Sequence, residues 1–334
     1  MKKNYYLFNS GRLSRKDNTL KFTINDENGN PAESKYIPIE NVDQLYVFGA
    51  IDINNALLNF LGQNQVFMHF FDYYENYTGS FTPREYLLSG KSLIYQAKYF
   101  LNKKKRLSIA KKILDGAIFN MLKNLKYYQN RGKNLEEIIN FINQHYKNIE
   151  NSEKIEELMG IEGNIRENYY KAFDIILKEF NFEYRSKQPP HNELNAMISF
   201  GNMLCYTECL RAIHHTHLNP TISFLHEPSE RRFSLALDLA EIFKPILVDR
   251  LIFTLVNKKI IQSNDFEKNV YNIKLKENAK KLFIENWDKK LNETFLHRTL
   301  NRNVSYKHLL KLECYKIEKE ILEIEEYKPF KSYW

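Results

Sequence analysis

The sequence predicts an α+β protein in which a small N-terminal β-rich domain, residues 1–84, precedes a larger all-helical domain, residues 85–334. Short runs of β-branched and aromatic residues, bounded by turn signals such as Asn28-Gly29-Asn30-Pro31, fill the chain as far as Phe81. Beyond Thr82-Pro83-Arg84 the apolar residues recur at helical spacing, with lysine and arginine between them, nearly to the end. With 334 residues, 43% hydrophobic and 14% aromatic, there is enough apolar surface for two domains and a sizeable core.

In the first domain the predicted strands cover residues 5–8, 20–24, 35–39, 45–48 and 66–71, with one short helix over 54–61 before the last strand. In the second, helices are predicted over 85–101, 107–128, 135–146, 164–180, 192–215, 234–256, 279–291 and 306–325. Pro189-Pro190, Asn219-Pro220 and Glu227-Pro228 mark connectors, the first of them within 185–190. No early apolar run follows Met1-Lys2-Lys3, and no segment offers the roughly 18 apolar residues of a membrane span. A cytoplasmic protein is expected. Cys205, Cys209 and Cys314 are too few for a disulfide framework; the first two read as buried thiols on a core helix rather than as metal ligands.

The net charge of +8 favours polyanionic partners, nucleic acid or an acidic membrane surface, without choosing between them. The segment Phe224-Leu225-His226-Glu227-Pro228, followed by Ser234 to Glu241, is the most informative for chemistry. Asp238 and Glu241 at i and i+3 share a helix face while Leu235, Leu237, Leu239 and Ile242 bury the rest. A carboxylate on so apolar a segment needs a cationic partner or a metal. Lys244, one turn beyond Glu241, is either that partner or a contact for phosphate. One imidazole beside oxygen donors suits Mn²⁺ and does not exclude Mg²⁺.

Each member also has a plainer reading. His226 alone reads as a loop histidine bonded to a backbone carbonyl. Glu162, between Gly160 and Gly163 at an expected helix start, reads as a carboxylate favoured by the helix dipole. His214-His215-Thr216-His217 reads as a helix cap rather than a metal cluster. Lys103-Lys104-Lys105-Arg106 reads as a solvated connector or a phosphate track. No P-loop, dinucleotide fingerprint or serine triad is present.

Together these residues resemble a known family, the CRISPR-associated integrase that is the first Cas protein, the metal-dependent endonuclease of spacer acquisition. The resemblance rests on Gly160-Ile161-Glu162-Gly163, the 195–201 segment Asn-Ala-Met-Ile-Ser-Phe-Gly, His226-Glu227-Pro228, and the Asp-x-x-Glu-x-x-Lys core of 235–245. Pro38-Ile39, Val47-Phe48-Gly49, Phe70-Phe71 and Gly79 to Pro83 agree with the family's β-lobe. Glu75 stands where many relatives have glycine, which bears on the shape of a β-lobe turn.

The resemblance implies that Glu162, His226 and Glu241 hold Mg²⁺ or Mn²⁺, with Asp238 a supporting or second-metal carboxylate. Lys244 and Tyr206 then match a basic and a tyrosine position near the site. It implies a helical catalytic domain and a DNA endonuclease and integrase. Such an enzyme joins the 3′-hydroxyl ends of short double-stranded DNA fragments to a repeat array by transesterification, or cuts with water instead. It further implies a homodimer built through the β-rich domain, two such dimers flanking a dimer of the small ferredoxin-like second Cas protein, and no membrane partner. Two rivals remain: a basic architectural nucleic-acid-binding protein whose carboxylates are structural, and an RNA-directed nuclease.

Overall fold

Strand pairing organises the N-terminal part of the chain. The computed structural model describes residues 2–84, 87, 89–186, 189–228, 233–269 and 272–333. It divides into two units, Met1–Tyr86 and Leu87–Trp334. In the first, β1 (Lys3–Leu7), β5 (Val42–Val47) and β7 (Phe67–Phe71) run parallel, with β8 (Tyr77–Phe81) antiparallel at the edge. A second sheet has the order β4 (Pro31–Pro38), β3 (Thr19–Asn25), β2 (Gly11–Lys16) and β6 (Ile51–Asp52). Helix α1 (Asn55–Gln63) joins β6 to β7.

Period-two alternation turns Leu13, Leu20 and Phe22 inward, where they join Leu7, Leu45, Leu57, Leu61 and Met68 in one core. Strands β2, β6 and β8 were not among those predicted. β2 buries a single large apolar residue and β8 carries a central glycine, so cross-strand pairing rather than local composition makes them strands. Glu75 has φ +67°, in a turn where Asp72 Oδ1 accepts the N–H groups of Tyr74 (2.8 Å) and Asn76 (2.9 Å). A glycine would take that backbone without strain, whereas Glu75 holds it in the left-handed region.

The second unit contains α2 (Gly90–Leu101), α3 (Lys103–Gln129), α4 (Glu136–Tyr146), α5 (Asn148–Asn151), α6 (Ile155–Ile176), α7 (Glu193–His214) and α8 (Ser234–Lys244). α9 (Arg250–Asn257), α10 (Glu277–Asn292) and α11 (Tyr306–Ile321) complete its helices. The all-helical expectation needs correction. Two hairpins lie in this unit, β9 (Phe266–Asn269) with β10 (Asn272–Leu275), and β11 (Thr294–His297) with β12 (Arg302–Ser305). Each strand has four residues; β9, β10 and β12 are rich in lysine, arginine or asparagine, β11 is Thr-Phe-Leu-His, and the buried apolar anchors are Phe266 and Leu275 in one hairpin and Val304 in the other. That composition carries no period-two signal. The expected helix start at 85 and part of the 185–190 connector lie outside the described residues. Among the described residues no helix is long and apolar enough to cross a membrane.

One departure positions the site. The helix expected over 234–256 is α8 and α9 joined by a π-helical turn, Pro245–Asp249. Pro245 has no N–H to return to the Glu241 carbonyl, so the ladder widens there. α3 anchors the widened turn: Asn124 Nδ2 donates to the Pro245 carbonyl (2.7 Å) and Asn120 Nδ2 to that of Ile242 (3.1 Å). α7 presses against the same turn through Gly201, where an added Cβ would lie 2.5 Å from Val248 Cγ1 and 3.2 Å from Phe283 Cζ. Gly201→Val is therefore expected to lower stability by about 1–3 kcal/mol through overpacking. Urea unfolding reads this as a lower midpoint at unchanged slope, and an unchanged midpoint would contradict the close approach.

Candidate active site

Asp238 builds the first half of the site. It is fully buried on α8, and its carboxylate faces the loop before that helix. Oδ2 accepts the backbone N–H groups of Phe224 (2.6 Å) and Leu225 (3.0 Å), while Oδ1 accepts His226 N–H (2.9 Å) and His226 Nδ1–H (2.8 Å). A carboxylate that receives only donors obliges Nδ1 to carry the proton, leaving the Nε2 lone pair for another partner. Burial pulls the imidazole pKa down, but the Asp238 hydrogen bond and charge, with that of Glu241, more than offset this and raise it. Arg106 on α3 ties down the same loop, donating to the Phe224 carbonyl (2.9 Å) and to Glu227 (2.6 Å).

The second half joins α6 to α8. Arg166 lies one turn after Glu162 and donates through Nε to Glu162 and through Nη2 to Glu241. Lys244 Nζ donates to the other Glu241 oxygen at 2.7 Å. Burial would push the Glu241 carboxyl up; the charges of Arg166, Lys244 and His226 overcome it and bring the group down to about 2. One buried carboxylate thus touches two cations, Arg166 and Lys244, and lies within the field of the His226 imidazole.

Next to this cluster is Asp249, the last residue of the π turn. Its Oδ2 accepts from Tyr169 OH on α6 (3.0 Å), and Tyr169 in turn accepts from Asn124 (3.0 Å). Its Oδ1 is buried with no hydrogen-bond partner. Burial raises the carboxyl to about 7, against the lowering influence of Tyr169, Arg166 and Lys244.

The five residues singled out in the sequence fall into two linked groups, His226 with Asp238, and Glu162 with Glu241 and Lys244. Glu162 is not at a helix start. It lies in the middle of α6, which begins at Ile155, with Glu157 accepting the N–H groups of Glu153 (2.8 Å) and Lys154 (3.4 Å). Both neighbouring glycines are accommodated within the helix, and the dipole reading of Glu162 loses its basis. Asp238 spends both oxygens on the loop and on His226, so its place is behind the imidazole. Tyr206 OH accepts the Phe233 N–H (3.2 Å) at the entry to α8. Lys103–Arg106 is no connector but the first turn of α3, and Lys105 pairs with Glu323. Cys205 and Cys209 are buried free thiols, and His214 ends α7, its pKa brought down to about 4 by burial.

Two participants were missed. Arg166 was visible as an i,i+4 partner of Glu162, and Asp249 as a lone acid in the apolar run Pro245 to Phe253. Among the described residues no three His, Cys, Asp or Glu side chains draw together as a ready-made ion cage. Arg166 stands between the carboxylates of Glu162 and Glu241. As donors the residues nevertheless fit a divalent cation, with two carboxylates for hard-ion coordination and one imidazole whose second nitrogen is fixed from behind.

Residues 5–289 match the family model described as CRISPR associated protein Cas1. The CRISPR-associated endonuclease Cas1 2 of Thermodesulfovibrio yellowstonii is 48% identical over 336 residues, covering 100% of both chains. Among solved structures, a Cas1 protein from Thermotoga maritima superposes with a TM-score of 0.86 at 40% identity, over 97% of this chain and 99% of that one. A casposase bound to its integration product shares the fold, with a TM-score of 0.87 at 20% identity over 100% of this chain and 95% of that one.

A carboxyl whose folded-state pKa is raised from 3.8 to about 7 binds more protons folded than unfolded between those values. Its contribution to stability is complete below the lower value and lost as pH rises through the upper one. Asp249→Asn is therefore expected to flatten the fall in stability between about pH 4 and pH 7. Urea unfolding of both proteins across that range checks it, and parallel slopes would refute a protonated buried acid.

Proposed function

The chain belongs to the Cas1 family of CRISPR-associated proteins, and from that premise we propose that it is the divalent-cation-dependent DNA endonuclease and integrase of CRISPR adaptation. It joins the 3′-hydroxyl ends of short DNA fragments to a repeat array by transesterification, and cuts when water replaces the hydroxyl. The observation that carries this reading is the shared cation between Glu162 and Glu241, lying within the field of His226. A buried carboxylate, Glu241, and a half-buried one, Glu162, from different helices converge on one positive charge, which is the electrostatic requirement for holding a metal ion.

In this reading Glu162 and Glu241 supply oxygen donors and His226 supplies Nε2 to Mg²⁺ or Mn²⁺. The ion, when bound, would stabilise charge on the phosphoryl and leaving oxygens of an in-line displacement. Asp238 keeps the His226 proton on Nδ1 and holds its ring angle, so that Nε2 stays available without reorganisation. Lys244 neutralises Glu241 at rest and lies one turn along α8, where its ammonium can meet a substrate phosphate. Arg106 holds the His226 loop against α3, so the imidazole is set on rigid elements.

The net charge of +8 supports duplex DNA as substrate, bound largely through phosphates and therefore sensitive to salt. The family further supports a homodimer through the β-rich unit and assembly with a dimer of the second Cas protein, the helical unit carrying catalysis. His226→Ala and Glu241→Ala are each expected to reduce Mn²⁺-dependent cutting and joining by a factor of about 10² or more while DNA binding persists. Blocking the 3′-hydroxyl should stop joining alone. Full activity in both variants would reject the site, and DNA binding without cutting or joining by the unaltered chain would favour the architectural rival.

A further inference from the structure

Arg166 bridges the two carboxylates that the proposed function assigns to a metal ion, and the surroundings offer it a second partner. The guanidinium contacts Glu162 through one edge and Glu241 through another, so both carboxylates are committed to it. With Lys244 on the remaining Glu241 oxygen, two acids and two bases balance. A divalent ion placed among them would leave an uncompensated surplus of positive charge in a site that is largely buried. One monovalent cation therefore has to leave as the ion arrives.

The fold holds a vacant acceptor within reach of the guanidinium's field. Glu162, Arg166 and Tyr169 follow one another along one face of α6, at i, i+4 and i+7. On the facing segment Glu241 and Asp249 lie eight residues apart, Glu241 on α8 before the widened turn and Asp249 at that turn's last residue. Arg166 touches Glu241, and Tyr169, one turn further along α6, touches Asp249. Asp249 Oδ1 is the buried oxygen left without a partner, and the Arg166 charge acts on that carboxyl. A buried carboxyl oxygen with no hydrogen-bond partner is costly unless another state of the protein uses it.

We propose that Arg166 is an internal stand-in for the metal, holding Glu162 and Glu241 together before the ion binds and passing to the unpartnered oxygen of Asp249 when it does. This rests on the reading of Glu162 and Glu241 as ion ligands. The exchange keeps the two carboxylates assembled in the ion-free protein, and it taxes ion affinity by the fraction of molecules in which the guanidinium is in place. Arg166 is thus a positioning residue that sets the ion concentration at which the enzyme becomes competent.

Calorimetric titration of the full chain with Mn²⁺ tests the exchange, paired with thermal unfolding in chelator and in Mn²⁺. Arg166→Met is expected to melt lower than the unaltered protein in chelator, to recover in Mn²⁺, and to bind Mn²⁺ about tenfold tighter. Arg166→Lys, which keeps the charge but loses the two-edged contact, is expected to shift affinity the same way by less, and it carries the test if the methionine variant does not fold. Asp249→Asn is expected to weaken Mn²⁺ binding by about fivefold in the normal background and to have no effect in Arg166→Met, because the group it would receive is gone. Mn²⁺ affinity equal to or weaker than normal in the folded Arg166 variants would overturn the stand-in. An Asp249→Asn effect that persists without Arg166 would overturn the handover. Equal binding by the unaltered chain and Glu241→Gln would instead remove the ligand reading on which both rest.

Discussion

Two carboxylates brought together out of bulk water, one buried and one half-buried, need positive charge, and the helical unit is arranged to supply it. Glu162 on α6 and Glu241 on α8 come from separate helices and meet at the Arg166 guanidinium, with Lys244 completing the neutralisation. Without those cations Glu241 would be pushed toward its protonated form by burial alone, and its actual displacement runs the other way. Packing brings the helices together, but charge decides which of their residues can face each other.

The remaining parts serve that meeting point. Asp238 turns one buried carboxylate into a clamp for three backbone N–H groups and one imidazole proton, so the His226 loop has a single orientation. Pro245 widens the helix after α8, and the asparagines of α3 receive the displaced carbonyls. The same widening sets Asp249 inward beside Tyr169. Local irregularity, rather than a regular helix face, gives this site its second carboxylate layer.

Much of this was legible in the sequence. The change from strand-like runs to helical spacing after Pro83 separates the β-rich and helical parts, and the i,i+3 pair Asp238 and Glu241 on an apolar helix points at the centre of the site. What could not be read depends on contacts between distant segments. Strands β2 and β8 exist because of their neighbours, and the C-terminal hairpins because of one or two buried anchors each. Spacing alone presents Asp238 and Glu241 as equivalent; only the loop at 224–226 folding back on α8 separates a clamp from a candidate ligand. Arg166 was in plain view one turn from Glu162, yet its role appears only when Glu241 arrives from 75 residues away.

Crystals of the full chain grown with Mn²⁺, with the ion located by its anomalous scattering, give the most direct test that Glu162, His226 and Glu241 are donors to one ion. The expected result is a single strong peak touching carboxylate oxygens of residues 162 and 241 and Nε2 of His226, with Asp238 still bonded to Nδ1. A peak elsewhere, or none at an ion concentration that supports DNA cutting, would contradict the account.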